Sequence, residues 1–123
     1  MTEEAAGERS ADPGRPADPE RRAAPGPAAF HFGPAHVIVY GNPAFIAAYG
    51  GAVLGQPARE AMVDLPRDAF ELMDMVYREG RPLARRILVG GVERRLLVVP
   101  RKEIDADEPY GVATYLRPLP PRR

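Results

Sequence analysis

The sequence contains no cysteine and no tryptophan. Lys102 is its only lysine, Ser10 its only serine, and Thr114 its only threonine beyond residue 2. Without thiols there is no disulfide framework, no thiolate nucleophile and no thiolate metal site. Ser10 lies in the Pro-rich start of the chain, so Thr114 is the one Ser/Thr hydroxyl of the apolar part. Acyl transfer through an activated nucleophile therefore has almost no candidate. No Gly-rich phosphate loop ending in Lys-Ser/Thr occurs. Glu71 and Asp74 are helical neighbours, but they lie off the apolar stripe, as solvated carboxylates do rather than an acid/base pair. The chain is not read as an enzyme. An excess of one charge is missing too: 17 basic and 17 acidic residues cancel, and no electrostatic argument favours nucleic acid, an anionic membrane or an acidic substrate. The near-absence of lysine, beside abundant Ala, Pro and Gly, reads as GC-rich coding rather than selection for guanidinium chemistry. No stretch approaches the ~20 apolar residues that cross a bilayer. The start of the chain is acidic and Pro-rich rather than basic and then apolar, which is no secretory signal. The expectation is a cytoplasmic protein.

What is present is enough chain for one domain: 123 residues, 45% of them hydrophobic. Residues 1–27 hold Pro13, Pro16, Pro19, Pro25 and Pro27 and hardly any large apolar side chain, so a disordered tail is expected there. Residues 120–123 read as a basic terminus. In between, Phe30-His31-Phe32 and His36 to Tyr40 read as two strands around Gly33-Pro34. The β-branched run Val37-Ile38-Val39-Tyr40 stops at Asn42-Pro43. Asn42 suits a helix N-cap and Pro43 the first helical position, and Gly50-Gly51 ends that short helix. Gln56-Pro57 starts another. In "PRDAFELMDMVYREG", Ala69, Leu72, Met73, Val76 and Tyr77 fall on one helical stripe, with Gly80 after its end. "LARRILVGGVERRLLVVP" reads as two strands around Gly90-Gly91, a dipeptide suited to a tight hairpin. "EIDADEPYG" is a polar turn. Its Asp105, Asp107 and Glu108 lack the spacing and terminal Glu of a calcium hand, and no metal site is expected. "GVATYLRPL" is a last strand. The order β-β-α-α-α-β-β-β describes an α+β domain, one antiparallel sheet with helices on one face.

Three of these segments, in this order, resemble a PAS domain, the small sensory and interaction module of signalling proteins. "VYGNPAF" is similar to the family's strand-Asn-Pro-Ala-Phe junction and "LGQPARE" to its Leu-Gly-x-Pro segment. "LVGGVERRLLVVPRKEIDADEPYGVATYL" looks like its terminal hairpins, with a Gly opening the last strand. The resemblance spans residues 28–119. It implies a five-stranded antiparallel sheet whose first two strands lie centrally beside the last three. Short helices and one longer helix pack on one face, leaving a space where a cofactor or metabolite sits in family members. Asn42 is then a structural cap. The family's cysteinyl-flavin photosensors and thioester-chromophore photoreceptors both need a cysteine, so those two chemistries are excluded. Its haem sensors commonly use a histidine on the long helix, which here carries none. Met73 reads as core filler, and His31 and His36, on the first two strands, read as satisfied or half-exposed polar residues. Haem is not expected, noncovalent flavin stays open, and the cofactor, if there is one, is unassigned.

Among the polar residues, Arg85-Arg86 and Arg94-Arg95 stand out. Neighbouring strand positions face opposite sides, so each pair sends one guanidinium to each face of the sheet. The inward one must be paired, reach the rim, or face a polar cavity where it would hold an anionic ligand. A bulge flips the phase, so the sequence leaves open which member points inward. These four arginines, with Tyr40, Phe45, Tyr49, Met73 and Tyr77 around the helical block, form the candidate ligand-binding set. "PLPPRR" fits the Pro-x-x-Pro-x-Arg pattern of polyproline ligands but reads as a plain terminus. The functional expectation is a PAS-type regulatory or sensory module of signal transduction acting in trans. It would bind a small ligand in its core, dock a partner protein, or homodimerise through the outer sheet face. The alternative is a ligand-free interaction or dimerisation module whose core is filled by Phe32, Phe45, Tyr49, Phe70 and Tyr77. A third reading, a catalyst on a related cone-shaped α+β fold, needs a cavity-lining acid/base pair that the sequence does not offer. An apolar cavity of roughly a few hundred Å³ would separate the first two.

Overall fold

The computed structural model describes residues 26–119. Most of the expected tail, the 120–123 terminus and the greater part of "PLPPRR" lie outside the described residues. Two strands, Ala28–Phe32 (β1) and Val37–Gly41 (β2), lead into the helix Pro43–Tyr49 (α1) and a single 3-10 turn at Gly51–Val53. A short helix Ala58–Ala61 (α2) and the long helix Arg67–Glu79 (α3) follow. The strands Leu83–Val89 (β3), Val92–Arg101 (β4) and Gly111–Pro118 (β5) complete the domain. The sheet order is β2-β1-β5-β4-β3, every neighbouring pair antiparallel.

The local reasons are those of the sequence. The Asn42 side chain accepts from Phe45 N at 2.9 Å, Pro43 occupies the first turn, and Gly50 closes α1 at φ 85. Asn42 also accepts from Ala28 N at 3.0 Å and donates to Gly26 O at 3.1 Å, so one amide ties the helix start to β1. Replacing it, Asn42→Ala, is expected to cost about 2 kcal/mol, the upper end for a lost cap, read as a lower urea midpoint with an unchanged slope. Helix α3 stops at Gly80, which takes the left-handed conformation. Gly90 and Gly91, at φ 58 and 85, make the two-residue turn between β3 and β4.

Two expectations need correction. The second strand is an edge strand, not a central one. The chain leaves it for α1 at Asn42, and its open side is covered by a loop. Ile38 N donates to Gln56 O, Gly55 N donates to Ile38 O, and Val37 bridges Pro57. His36 is not on that strand either. It closes the Gly33–His36 turn at φ 55, an uncommon conformation for a residue with a side chain.

The core lies between the inner sheet face and the helices. Ile38, Phe45, Met73, Val76, Leu96, Val98 and Val112 are fully buried in one cluster with Ala58, Ala69 and Leu72. Each fully buried large aliphatic or aromatic side chain contributes about 1.5–3 kcal/mol. The stripe of α3 supplies Ala69, Leu72, Met73 and Val76 to this core.

Candidate functional site

Register decides which side chains reach the interior. Ile87 pairs with Arg94 and Arg85 with Leu96. Because Ile87 and Leu96 are buried, Arg85 and Arg94 share their inner face, whereas Arg86 and Arg95, directly opposite each other, lie on the outer face. Arg85 reaches the rim and lies 4.0 Å from Asp68 of α3. Arg94 is half-buried and makes no ion pair among the described residues.

Arg94 lines a cleft of about 240 Å³ at the open end of the sheet-helix sandwich. Tyr49 and Ala48 of α1, Asp64, and Val89 and Leu116 of the inner sheet face form its other walls. The Tyr49 hydroxyl donates to Asp64 Oδ1 at 2.7 Å. Burial, then this bond and the charge of Asp64, push the Tyr49 phenol well above its ordinary range, so it remains a neutral donor. The cleft joins apolar walls to the Arg94 guanidinium and to the Tyr49–Asp64 pair, whose phenolic proton is already engaged, so Arg94 is the group there that could hold a carboxylate-like end.

The remaining candidates are dispersed. Phe45 and Met73 are core residues with no exposure, and Phe45 packs on Tyr49 with ring centroids 4.8 Å apart. Tyr77 borders a shallow groove of about 500 Å³ with Pro34, Asp74, Arg78, Glu108 and Pro109. Tyr40 lies on the outer face. Phe30 pairs with Tyr40 but His31 pairs with Ile38, leaving Val39 as an extra, bulged residue. The bulge puts the Tyr40 ring 5.1 Å from that of Phe30, on the side away from the core. The structure thus brings together Tyr49 and Arg94, and separately Arg86 and Arg95.

A buried polar chain escaped the sequence reading. His31 is fully buried on the inner face. Its Nδ1 lies 3.2 Å from His36 O and its Nε2 2.9 Å from Thr114 Oγ1. A carbonyl only accepts, so Nδ1 carries the proton and the Thr114 hydroxyl donates to Nε2. Burial chiefly, with the nearby His36 and Arg101 charges, lowers the His31 pKa to about 4 against the opposing bond to His36 O. His36, also buried, donates from Nε2 to Asp74 Oδ1 at 2.7 Å, and Arg59 pairs with the other oxygen at 3.0 Å. The only signal in the sequence was a pair of histidines near a turn; their partners come from β5 and α3. Among the described residues there is no group of three or more His, Cys, Asp or Glu side chains that could hold a metal, and no helix long and apolar enough to cross a membrane.

The outer sheet face carries exposed apolar groups: Phe32 is 56% exposed, Tyr40 48% and Leu88 58%. Arg101 lies over the rings of Phe30 and Tyr110 at 4.6 and 4.9 Å, and Arg117 over Tyr115.

No protein-family profile matches the sequence, and no curated protein matches it. Solved structures do. The PAS domain of BvgS from Bordetella pertussis superposes with a TM-score of 0.59 at 20% identity, over 81% of this chain and 81% of that one. A domain of an HTR-like protein from Haloarcula marismortui gives 0.58 at 15% identity, over 74% of this chain and 94% of that one. A variant of the fungal photoreceptor VVD gives 0.54 at 14% identity, over 86% and 84%.

Proposed function

We propose that this chain, which has the PAS fold, is a regulatory module of signal transduction that acts in trans by docking a partner protein on its outer sheet face. The observation that supports this reading is the contrast between the two faces. Behind the sheet, the space between strands and helices is occupied by Phe45, Ile38, Met73 and Leu96, all without exposure. In front of it, Phe32 and Tyr40 stand exposed at the Arg101 end of the face, and Leu88 at the opposite end beside Arg86 and Arg95. Apolar side chains rimmed by charge are the ordinary composition of an interaction surface.

One observation favours a second reading, in which the module also responds to a small anionic metabolite: the unpaired Arg94 in its cleft. Complementation separates the two. In the producing organism lacking this chain, wild type and Arg94→Ala are expected to restore whichever phenotype the deletion causes, and Phe32→Asp/Tyr40→Asp is expected to fail while keeping the wild-type urea midpoint. Restoration by the outer-face variant and failure of Arg94→Ala would transfer the function to the cleft. Native mass spectrometry and an absorption spectrum of freshly purified protein supply the companion readout, since extra mass or a visible band marks a retained ligand.

A further inference from the structure

The described residues carry as many acidic as basic side chains, but the fold separates them. Most of the acids lie on the helices and in the β4–β5 loop, as with Asp68, Asp74, Glu103 and Asp107. The outer faces of the strands bear Arg86, Arg95, Arg101 and Arg117 against a single acid, Glu93. Three of these arginines form one row. Arg86 of β3 is opposite Arg95 of β4, and Arg95 is opposite Arg117 of β5. Neighbouring strands are about 4.8 Å apart, so three guanidinium groups are anchored within about 10 Å. Like charges directly opposite each other destabilise a sheet, and Arg86 and Arg95 have no ion pair among the described residues that offsets this.

Resting on the docking role above, we infer that the outer face takes a carboxylate-rich segment of a partner protein rather than a second copy of this chain. Arg86 and Arg95 offer planar donors matched to carboxylates. Next to it, Leu88, Leu97 and Tyr115 supply apolar surface on the same face. Self-association is opposed by the same charges. The row lies at one end of the face, and Arg101 lies six residues along β4, about 20 Å away. A two-fold axis along β4 would lay the row on the second copy's row. An axis across the strands would lay it on the Arg101 end. Both arrangements set arginine against arginine, whereas an acidic segment neutralises Arg86 and Arg95 in either direction.

The test uses the full chain and a fluorescein-labelled oligoglutamate peptide, with oligoglutamine and oligolysine as controls, followed by anisotropy at low and physiological salt. Oligoglutamate alone is expected to bind, more weakly as salt rises. R86E/R95E should lower the affinity about tenfold or more, that is about 1.4 kcal/mol or more. R86Q/R95Q should lose affinity too while keeping or raising the urea midpoint, because it removes a repulsive pair. Equal affinity of parent and variants, or no binding at low salt, overturns the inference. So does a dimer in sedimentation that is dissolved by Val99→Glu, a substitution on the outer face of β4 between Arg95 and Arg101, since a second copy then fills the face. In the complementation assay, rescue by R86E/R95E but not by Phe32→Asp/Tyr40→Asp overturns the acidic partner and leaves the docking face standing. Rescue by all variants removes the docking face itself.

Discussion

Lowering the pH from above 6.5 to about 4 should strip roughly 3 kcal/mol from the stability of this protein through one side chain, His31. The imidazole is buried and neutral, with a pKa lowered from 6.5 to about 4 by burial above all. A lowered pKa in the folded state means that the unfolded chain takes up the proton first as pH falls. The contribution is therefore complete above 6.5 and is lost progressively down to about 4. At 1.36 kcal/mol per pKa unit, the shift amounts to roughly 3 kcal/mol, a large share of the ~5–15 kcal/mol that holds a domain together. Urea midpoints measured across this window give the slope. The control is His31→Leu/Thr114→Val, which replaces both ends of the 2.9 Å hydrogen bond by apolar groups and so leaves no orphan. This variant should show a flatter dependence than the parent. Parallel pH profiles for the two proteins would refute the assignment to His31.

Phe45→Ala should cost about 3–5 kcal/mol. Phe45 belongs to α1, a helix of seven residues that cannot hold itself in water and is kept by its packing. The ring is fully buried and contacts Tyr49. It also fills the space that a side chain at position 41 would need, since a Cβ on Gly41 would run into the Phe45 ring. Sheet and helical flank therefore meet at this ring, and truncation leaves a cavity that the rigid Asn42 junction is poorly placed to close. Chemical unfolding with an unchanged slope measures the loss. A decrease under about 1 kcal/mol would show that α1 collapses onto the sheet without it, and that Phe45 does not anchor the flank. The same variant should change the Tyr49–Asp64 side of the cleft, because Tyr49 rests on Phe45.

Sequence by itself determined the elements and where they end. Those signals are local: the alternating and helical periods, the Asn42-Pro43 start, Gly80 and the Gly90-Gly91 turn are each set within a few residues by backbone geometry and hydrogen bonding. The three PAS-like segments are legible for the same reason. The candidate site was legible only in its residue types. That Arg94 rather than Arg95 faces the cleft depends on the β3–β4 register, which Ile87 and Leu96 fix by burying their own side. Tyr40 turned outward because of a bulge at Val39, one extra residue that no period announces. Thr114 meets His31 across 83 residues of chain, and a pairing of that range is decided by strand order, not by neighbours in sequence. Charge shows the difference most plainly. Composition reads as neutral, but β-pairing aligns arginines from three strands on one face and leaves most of the acids to the helices and loops. A sum over residues does not register where each one points, and only the folded sheet supplies that direction.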